Sequence, residues 1–216
     1  ELRARAENAG RGALRGGLSL DGSGTSADHT LRLAFAGEEW NVAQTLRGAW
    51  ENRRWEGRLL DGRVELGAAG AYSQRGDADL ALSADDFRLQ DWCWHQDAAQ
   101  LCLAGTGHPA ARDLEAHADW SELAFARLSA LYAAPGIELD GRAAGEAHAS
   151  VTAGTLQSLQ LSLRLGAGSL LHPMPGTEQR HRLGYQQAGL ELHGDGTDGL
   201  TAETSIDFDS GTRLAA

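Results

Sequence analysis

Leu159-Gln160-Leu161-Ser162-Leu163-Arg164-Leu165 is an unbroken alternation of leucine with polar side chains. A period of two places the four leucines on one side of a β-strand and Gln, Ser and Arg on the other. A helix would instead place apolar residues three and four apart. The same alternation recurs at Leu18-Ser19-Leu20, Leu31-Arg32-Leu33-Ala34-Phe35, Trp40-Asn41-Val42, Leu80-Ala81-Leu82 and Phe87-Arg88-Leu89. It returns at Leu101-Cys102-Leu103, Leu190-Glu191-Leu192 and Ile206-Asp207-Phe208. Between these runs stand Asp21-Gly22-Ser23-Gly24, Ala36-Gly37, Asp61-Gly62, Asp140-Gly141 and Gly194-Asp195-Gly196-Thr197-Asp198-Gly199. Glycine and aspartate tolerate the positive φ of tight hairpins, so each reads as a turn. With no helical stretches alternating between the strands, the chain reads as a mostly antiparallel β meander.

One segment departs from this period. Ser121-Glu122-Leu123-Ala124-Phe125-Ala126-Arg127-Leu128-Ser129-Ala130-Leu131-Tyr132 carries apolar residues at helical spacing, with Ser121 as N-cap and Pro135-Gly136 beyond its end. The pattern predicts one short helix near 121–132, its apolar stripe laid on the sheet or plugging its end.

The apolar positions are mostly Leu, and aromatic residues make up only 6% of the chain, so repetition along one axis is favoured over a sandwich with a central aromatic core. An open repetitive sheet must still hide its leucine face. The expectation is an elongated antiparallel sheet folded lengthwise into an apolar groove, closed on itself or filled by something apolar. The groove-lining candidates, and so the contacts for whatever apolar occupant fills it, are Leu18, Leu31, Leu33, Phe35, Leu80, Leu82, Leu101, Leu103, Leu159, Leu161, Leu163, Leu190, Leu192, Ile206 and Phe208.

Cys93 and Cys102 are the two cysteines. With Asp97-Ala98 as a two-residue turn, Trp94 faces Leu101 and Cys93 faces Cys102 in a non-hydrogen-bonded pair, where side chains approach most closely. A cross-strand disulfide fits that geometry and implies an oxidising compartment; the alternative is two reduced thiols in a strand. Trp92, Trp94, Leu101 and Leu103 then share the opposite face.

The chain of 216 residues carries 19 basic residues, all arginine, against 30 acidic ones, for a net charge of -11. That balance argues against a nucleic-acid partner, which calls for concentrated positive charge. The 8 histidines are scattered singly, and no two share metal-ligand spacing on one element. No nucleophile elbow, phosphate-binding glycine loop or zincin motif occurs, so neither an enzyme nor a cofactor or metal is expected. Gly194–Gly199 is one copy of a calcium-repeat-like pattern and reads as a hairpin turn. Trp40, Trp50, Trp55, Trp92, Trp94 and Trp120 suit the rim of an apolar sheet face better than a sugar-stacking platform. No run reaches the roughly 20 apolar residues of a membrane-spanning helix. The first residue is Glu, and the chain reads as one segment, 1–216, of a longer repetitive protein whose membrane anchor lies outside it.

The succession from about Ala78 to Leu170 carries a resemblance. A leucine-alternating strand leads to Trp92-Cys93-Trp94 and then Leu101-Cys102-Leu103-Ala104-Gly105. Asp119-Trp120 precedes the expected helix, and Ile137-Glu138-Leu139-Asp140-Gly141-Arg142-Ala143-Ala144-Gly145 comes after it. This stretch, 78–170, resembles the central periplasmic region of the TamB family, in the AsmA-like group of bridge-like lipid-transfer proteins; the flanks match in texture alone. The resemblance implies a β-taco-like groove and a periplasmic protein tethered to the inner membrane by a segment not present here. It also implies a TamA-like outer-membrane partner, phospholipid acyl chains as cargo and a part in autotransporter and outer-membrane protein assembly. Cys93 and Cys102 would correspond to the family's cysteine pair, and there are no catalytic residues to carry over. Two other readings stand beside it: a scaffold templating strands of outer-membrane proteins by β-augmentation, and a carbohydrate-binding β-sandwich.

Overall fold

The computed structural model describes residues 2–9, 16–38, 40–126, 138–173, 180–196 and 199–215. Their strands are β1 (Leu2–Ala9), β2 (Gly16–Gly24), β3 (His29–Gly37), β4 (Trp40–Glu51), β5 (Arg54–Leu66), β6 (Ala71–Gln74), β7 (Ala78–Ser83), β8 (Phe87–Gln96) and β9 (Ala99–His108). They continue with β10 (Asp113–Ala124), β11 (Glu138–Asp140), β12 (Arg142–Thr152), β13 (Thr155–Leu165), β14 (Gly168–Pro173), β15 (Arg180–Gly194), β16 (Leu200–Phe208) and β17 (Arg213–Ala215). All nine alternating runs lie in strands, and every pairing is antiparallel within one 17-stranded sheet.

Neighbours in sequence are neighbours in space. β1 to β5 pair in succession. β6 and β7 lie end to end as one interrupted rung between β5 and β8. Next come β8, β9, β10 and β12, then β13 and β14 end to end against β15, and finally β16 and β17. About fourteen rungs at about 4.8 Å give a sheet roughly 60 Å long. The chain exposes 13887 Å², where a compact monomer of 22.9 kDa exposes about 9,600 Å². That excess is the signature of an extended sheet and excludes two sheets packed into a sandwich.

Several sequence expectations are corrected. Ser121–Ala124 is the end of β10, so Ser121 caps no helix; Phe125 and Ala126 are helical, and residues 127–137, including Leu128 and Leu131, lie outside the described residues. The reason is lateral pairing: Leu123 and Ala124 sit opposite Ala143 and Arg142, and ladder bonds outweigh helix propensity there. Three turn signals serve other ends. Asp21–Gly24 lies inside β2, whereas Asp61-Gly62 is a bulge in β5 and Gly141 is a break between β11 and β12. The tight hairpins are at Asn52-Arg53 and Ala153-Gly154, whose residues all have positive φ, and at Asp97-Ala98.

These irregularities line up. Bulges at Asp61-Gly62 and Gln90-Asp91 flank the break at Arg75–Asp77 on adjacent rungs. A second line runs through Ser121-Glu122, Gly141, Gly166-Ala167 and Gln186. Asp61, Asp91 and Glu122 hold φ of 51°, 56° and 56°. A bulge bends its strand, so bulges in line bend the sheet along its length.

Each bend is clamped by a polar side chain on the apolar side. Gln44, 8% exposed, donates through Nε2 to the carbonyls of Thr45 (3.1 Å) and Leu60 (2.9 Å) and to Gln74 Oε1 (3.0 Å). Gln74 in turn donates to the carbonyls of Leu59 (2.7 Å) and Gly76 (2.8 Å), and accepts from the Gly62 N–H (3.2 Å). The two amides thereby tie four carbonyls around the bulge and the break to one another, adding bonds where the ladder is irregular. At the second bend the buried Tyr185 hydroxyl donates to the Asp140 carbonyl, in space left open by Gly141 and Gly168. Burial raises its pKa and keeps the phenol a donor.

A Cβ at Gly62 would sit 2.6 Å from Gln44 Oε1 and 2.7 Å from both Gln74 Oε1 and Trp94 Cη2. Gly62→Val is therefore expected to lower unfolding stability by about 2 kcal/mol through overpacking. Gly17→Ala, at a site with nothing within 4 Å, should change it by less than about 0.5 kcal/mol. Urea denaturation of the two variants checks this, and equal losses would contradict the clamp.

Candidate functional site: the leucine face

Directly opposed residues of an antiparallel pair point to the same face, so the pairing register assigns every side chain. One cross-strand row reads Leu18, Phe35, Val42, Val64 and Tyr72; another reads Leu31, Leu46, Leu59 and Ala78. Further along, Trp92, Leu103, Ala118, Ala147, Leu161, Leu192 and Ala202 form a row. Beside it runs Trp94, Leu101, Trp120, Gly145, Leu163, Leu190 and Thr204. Leu33, Leu80, Leu82, Leu159, Ile206 and Phe208 fall on the same side by the same rule. The register thus brings all fifteen candidate residues to one face. Each bulge adds its extra residue without reversing that parity, which is why the face stays continuous across both bends.

None of the fifteen is buried. Fourteen are half-buried, and Leu82 is 44% exposed. Among the described residues no large side chain is fully enclosed. The face is not level. Where β10 and β12 cross it they present Ala116, Ala118, Ala147, Ala149 and Gly145, so it dips between the leucines of β9 and β13. Near the second bend Leu163, Leu165, Leu170, Tyr185, Leu190, Ile206 and Phe208 line an apolar cavity of about 250 Å³.

The opposite face is polar. A concavity of about 1400 Å³ there is lined by Arg142, Arg164, Arg213, Glu122, Glu191 and Glu203 among others; Arg142 reaches Glu122 at 3.1 Å and Arg213 reaches Asp207 at 3.4 Å. A twisted sheet is saddle-shaped and so concave on both faces, and this hollow suits water and ions, not aliphatic chains. At the β2–β3 hairpin, Arg47 forms a forked pair with Asp28 (3.2 and 3.1 Å), whose hydrogen bonds and charge hold that carboxyl below its ordinary range.

The cysteine geometry is as expected. Gln96 faces Ala99, His95 faces Gln100, Trp94 faces Leu101, and Cys93 is disulfide-bonded to Cys102. The bond lies on the polar side, and Trp92 and Trp94 meet edge to face at 5.2 Å on the other. All six tryptophans share the leucine face. Trp55 is buried and donates to His29 Nε2 at 2.8 Å. They are spread over β4, β5, β8 and β10, and so form no single platform.

Sequence reading missed part of this face. Leu20, Leu46, Leu59, Leu89, Leu123 and Leu165 belong to it; Leu20, Leu89 and Leu165 are visible in sequence as the ends of alternating runs. Leu59 is succeeded by Leu60, which faces the other way, and only the register separates them.

An extended antiparallel sheet with one largely half-exposed apolar face, bent lengthwise and with no packed second layer among the described residues, defines a class of elongated β-scaffold proteins rather than a globular domain. Within that class, a family model described as "TamB, N-terminal domain" matches residues 13–215, and the chain belongs to the TamB family. The match takes in flanks on which the resemblance rested only in texture, and its description is of the N-terminal domain where the resemblance pointed to the central region. Membership associates the chain with outer-membrane assembly and with a membrane-associated protein of the periplasm. No curated protein and no solved structure matches it significantly.

Closing a loop this short with a disulfide stabilises a fold by about 2–3 kcal/mol in the chain-entropy account. The paired substitution Cys93→Ala with Cys102→Ala is expected to lower unfolding stability by that amount. Reductant should lower the native chain to match and leave the double variant unmoved. Insensitivity of the native chain to reductant in urea titrations would contradict it.

Proposed function

We propose that the leucine face forms a groove that carries phospholipid acyl chains between inner and outer membrane, without enzymatic activity. Through that transport it supports assembly of outer-membrane proteins and autotransporters. The observation that carries this reading is fifteen aligned apolar side chains left half-exposed along the whole sheet. Soluble monomers seldom leave contiguous apolar patches beyond a few hundred Å² uncovered. Each methylene buried there gains about 0.8 kcal/mol over water, and the attraction is non-directional, so a chain slides with little change in energy. The full-length protein, on this reading, is tethered to the inner membrane and meets a TamA-like partner at the outer one.

Leu161 and Leu163 sit mid-sheet, and replacing both by Asp puts two charges in the path. Lipid photo-cross-linking at neighbouring positions is expected to fall to background, with circular dichroism reporting a folded sheet. Undiminished cross-linking in a folded variant would overturn the groove.

A second reading, strand templating, is favoured by one observation. β17 covers only Ser205–Asp207 of β16, so the outer edge of Leu200–Thr204 has no described ladder partner. The Ala202 N–H points to that edge, because Thr201 and Glu203 bond to β15. Ala202→Pro would thus block strand addition there. Loss of substrate-protein binding with lipid transfer intact would favour templating; the groove reading expects both to survive.

A further inference from the structure

Cross-strand pairing joins two histidines that are thirty-one positions apart in sequence. His117 on β10 lies directly opposite His148 on β12. Ladder bonds can be counted outward from the two-residue turns at Asp97-Ala98 and Ala153-Gly154. Both counts place the N–H and C=O groups of His117 toward β9 and those of His148 toward β13. The two therefore form a non-hydrogen-bonded pair, the kind in which Cβ atoms stand about 4.5–5.5 Å apart. Both side chains are exposed on the polar face, and among the described residues neither imidazole is engaged in a hydrogen bond or ion pair.

The next close pair along the same two strands is Asp119 opposite Glu146. Two carboxylates in direct opposition repel each other, and a cation beside them relieves that repulsion. His117, Glu146 and His148 also border a concavity of about 240 Å³, shared with Gln160, Ser162, Glu191 and, at its far side, His193.

The geometry points to a binding site for a borderline divalent transition-metal ion, Ni²⁺, Cu²⁺ or Zn²⁺, chelated by His117 and His148 across β10 and β12. Imidazole is the ligand such ions prefer, and two rings on adjacent strands reach one ion at metal–nitrogen distances of about 2 Å. No three potential ligands converge on one point among the described residues. The chelate is thus two-histidine, with water completing the shell and the Asp119–Glu146 pair balancing its charge. His193 borders the same concavity from β15, but it lies two strands beyond His148, past Gln160, and two strand spacings of about 4.8 Å each keep it from the ion that His117 and His148 share. The ion sits on the side of the sheet away from the leucines, so the site is independent of the lipid reading.

The test is titration of the tag-free chain with NiCl₂ by calorimetry, repeated for His117→Ala, His148→Ala and His193→Ala. The native chain and His193→Ala are expected to show one saturable site. The other two should bind at least about tenfold more weakly, the scale on which even outer-shell partners act. Affinity should also fall in acid, since proton and metal compete for the same nitrogen. Copper loaded into the native chain should show two nitrogen ligands by electron paramagnetic resonance, and one in each single variant. Equal binding by the native chain and the His117→Ala/His148→Ala double variant would overturn the site. So would the lack of any saturable binding below the millimolar range.

Discussion

Opposed residues in an antiparallel ladder share a face, and this constraint propagates. Once Leu161 and Leu163 point one way, Leu192 and Leu190 on one side and Ala147 and Gly145 on the other must do the same. A slip of one residue in any rung would turn that strand's leucines to water. The register of each hairpin is therefore held by every other, and a sheet with little enclosed core keeps its order. Bulges threaten this scheme, because an extra residue reverses the parity of the strand beyond it unless the partner strand is offset to match. At Asp61-Gly62, Gln90-Asp91 and Ser121-Glu122 the offset is taken up locally, so both sides of the bend keep their leucines on one face.

Bending costs ladder bonds, and the chain replaces them with side chains that look misplaced in an apolar surface. Gln44 and Gln74 stand among leucines and tryptophans, yet between them they bond four carbonyls and one N–H at the first bend. Tyr185 does similar service at the second. An unmade backbone bond away from water costs about 1–3 kcal/mol, comparable to what a leucine would gain in the same place. Polar residues at a bend are thus the lower-energy choice, although an apolar residue would fit the pattern better.

Strand existence, the antiparallel class, the Cys93–Cys102 hairpin and the fifteen residues of the apolar face were legible because all of them derive from period two and short turns. The bends were not. Asp61-Gly62 and Asp140-Gly141 look like hairpins in sequence, since the same positive φ serves a turn or a bulge; only the partner strand distinguishes them. Ser121–Ala124 reads as helix because Leu123 fits both periods, and tertiary pairing with Ala143 decides for the strand there, while Phe125 and Ala126 beyond it are helical. His117 and His148 were invisible as a pair, because nothing local announces which residues a lateral ladder will oppose. Gln44 and Gln74 were hidden likewise: a polar residue in an alternating run is read as outward unless its partners are known.

The two functional readings draw on different parts of the sheet, and the distribution of residues weighs between them. Strand addition uses backbone groups at an edge, and a meander has two edges however long it grows. It gains nothing from leucines on the ten or more rungs between them. A lipid path uses the face of every rung, and every rung from β2 to β16 contributes an apolar side chain to it. Keeping that face half-exposed costs stability at each position, because a second layer would bury it more fully. A scaffold working only through its edges would be more stable with the face covered. The face closes over near the bends, where Leu59, Leu123, Leu165 and Tyr185 are buried, and half-exposed apolar side chains on the rungs between leave room for an aliphatic occupant.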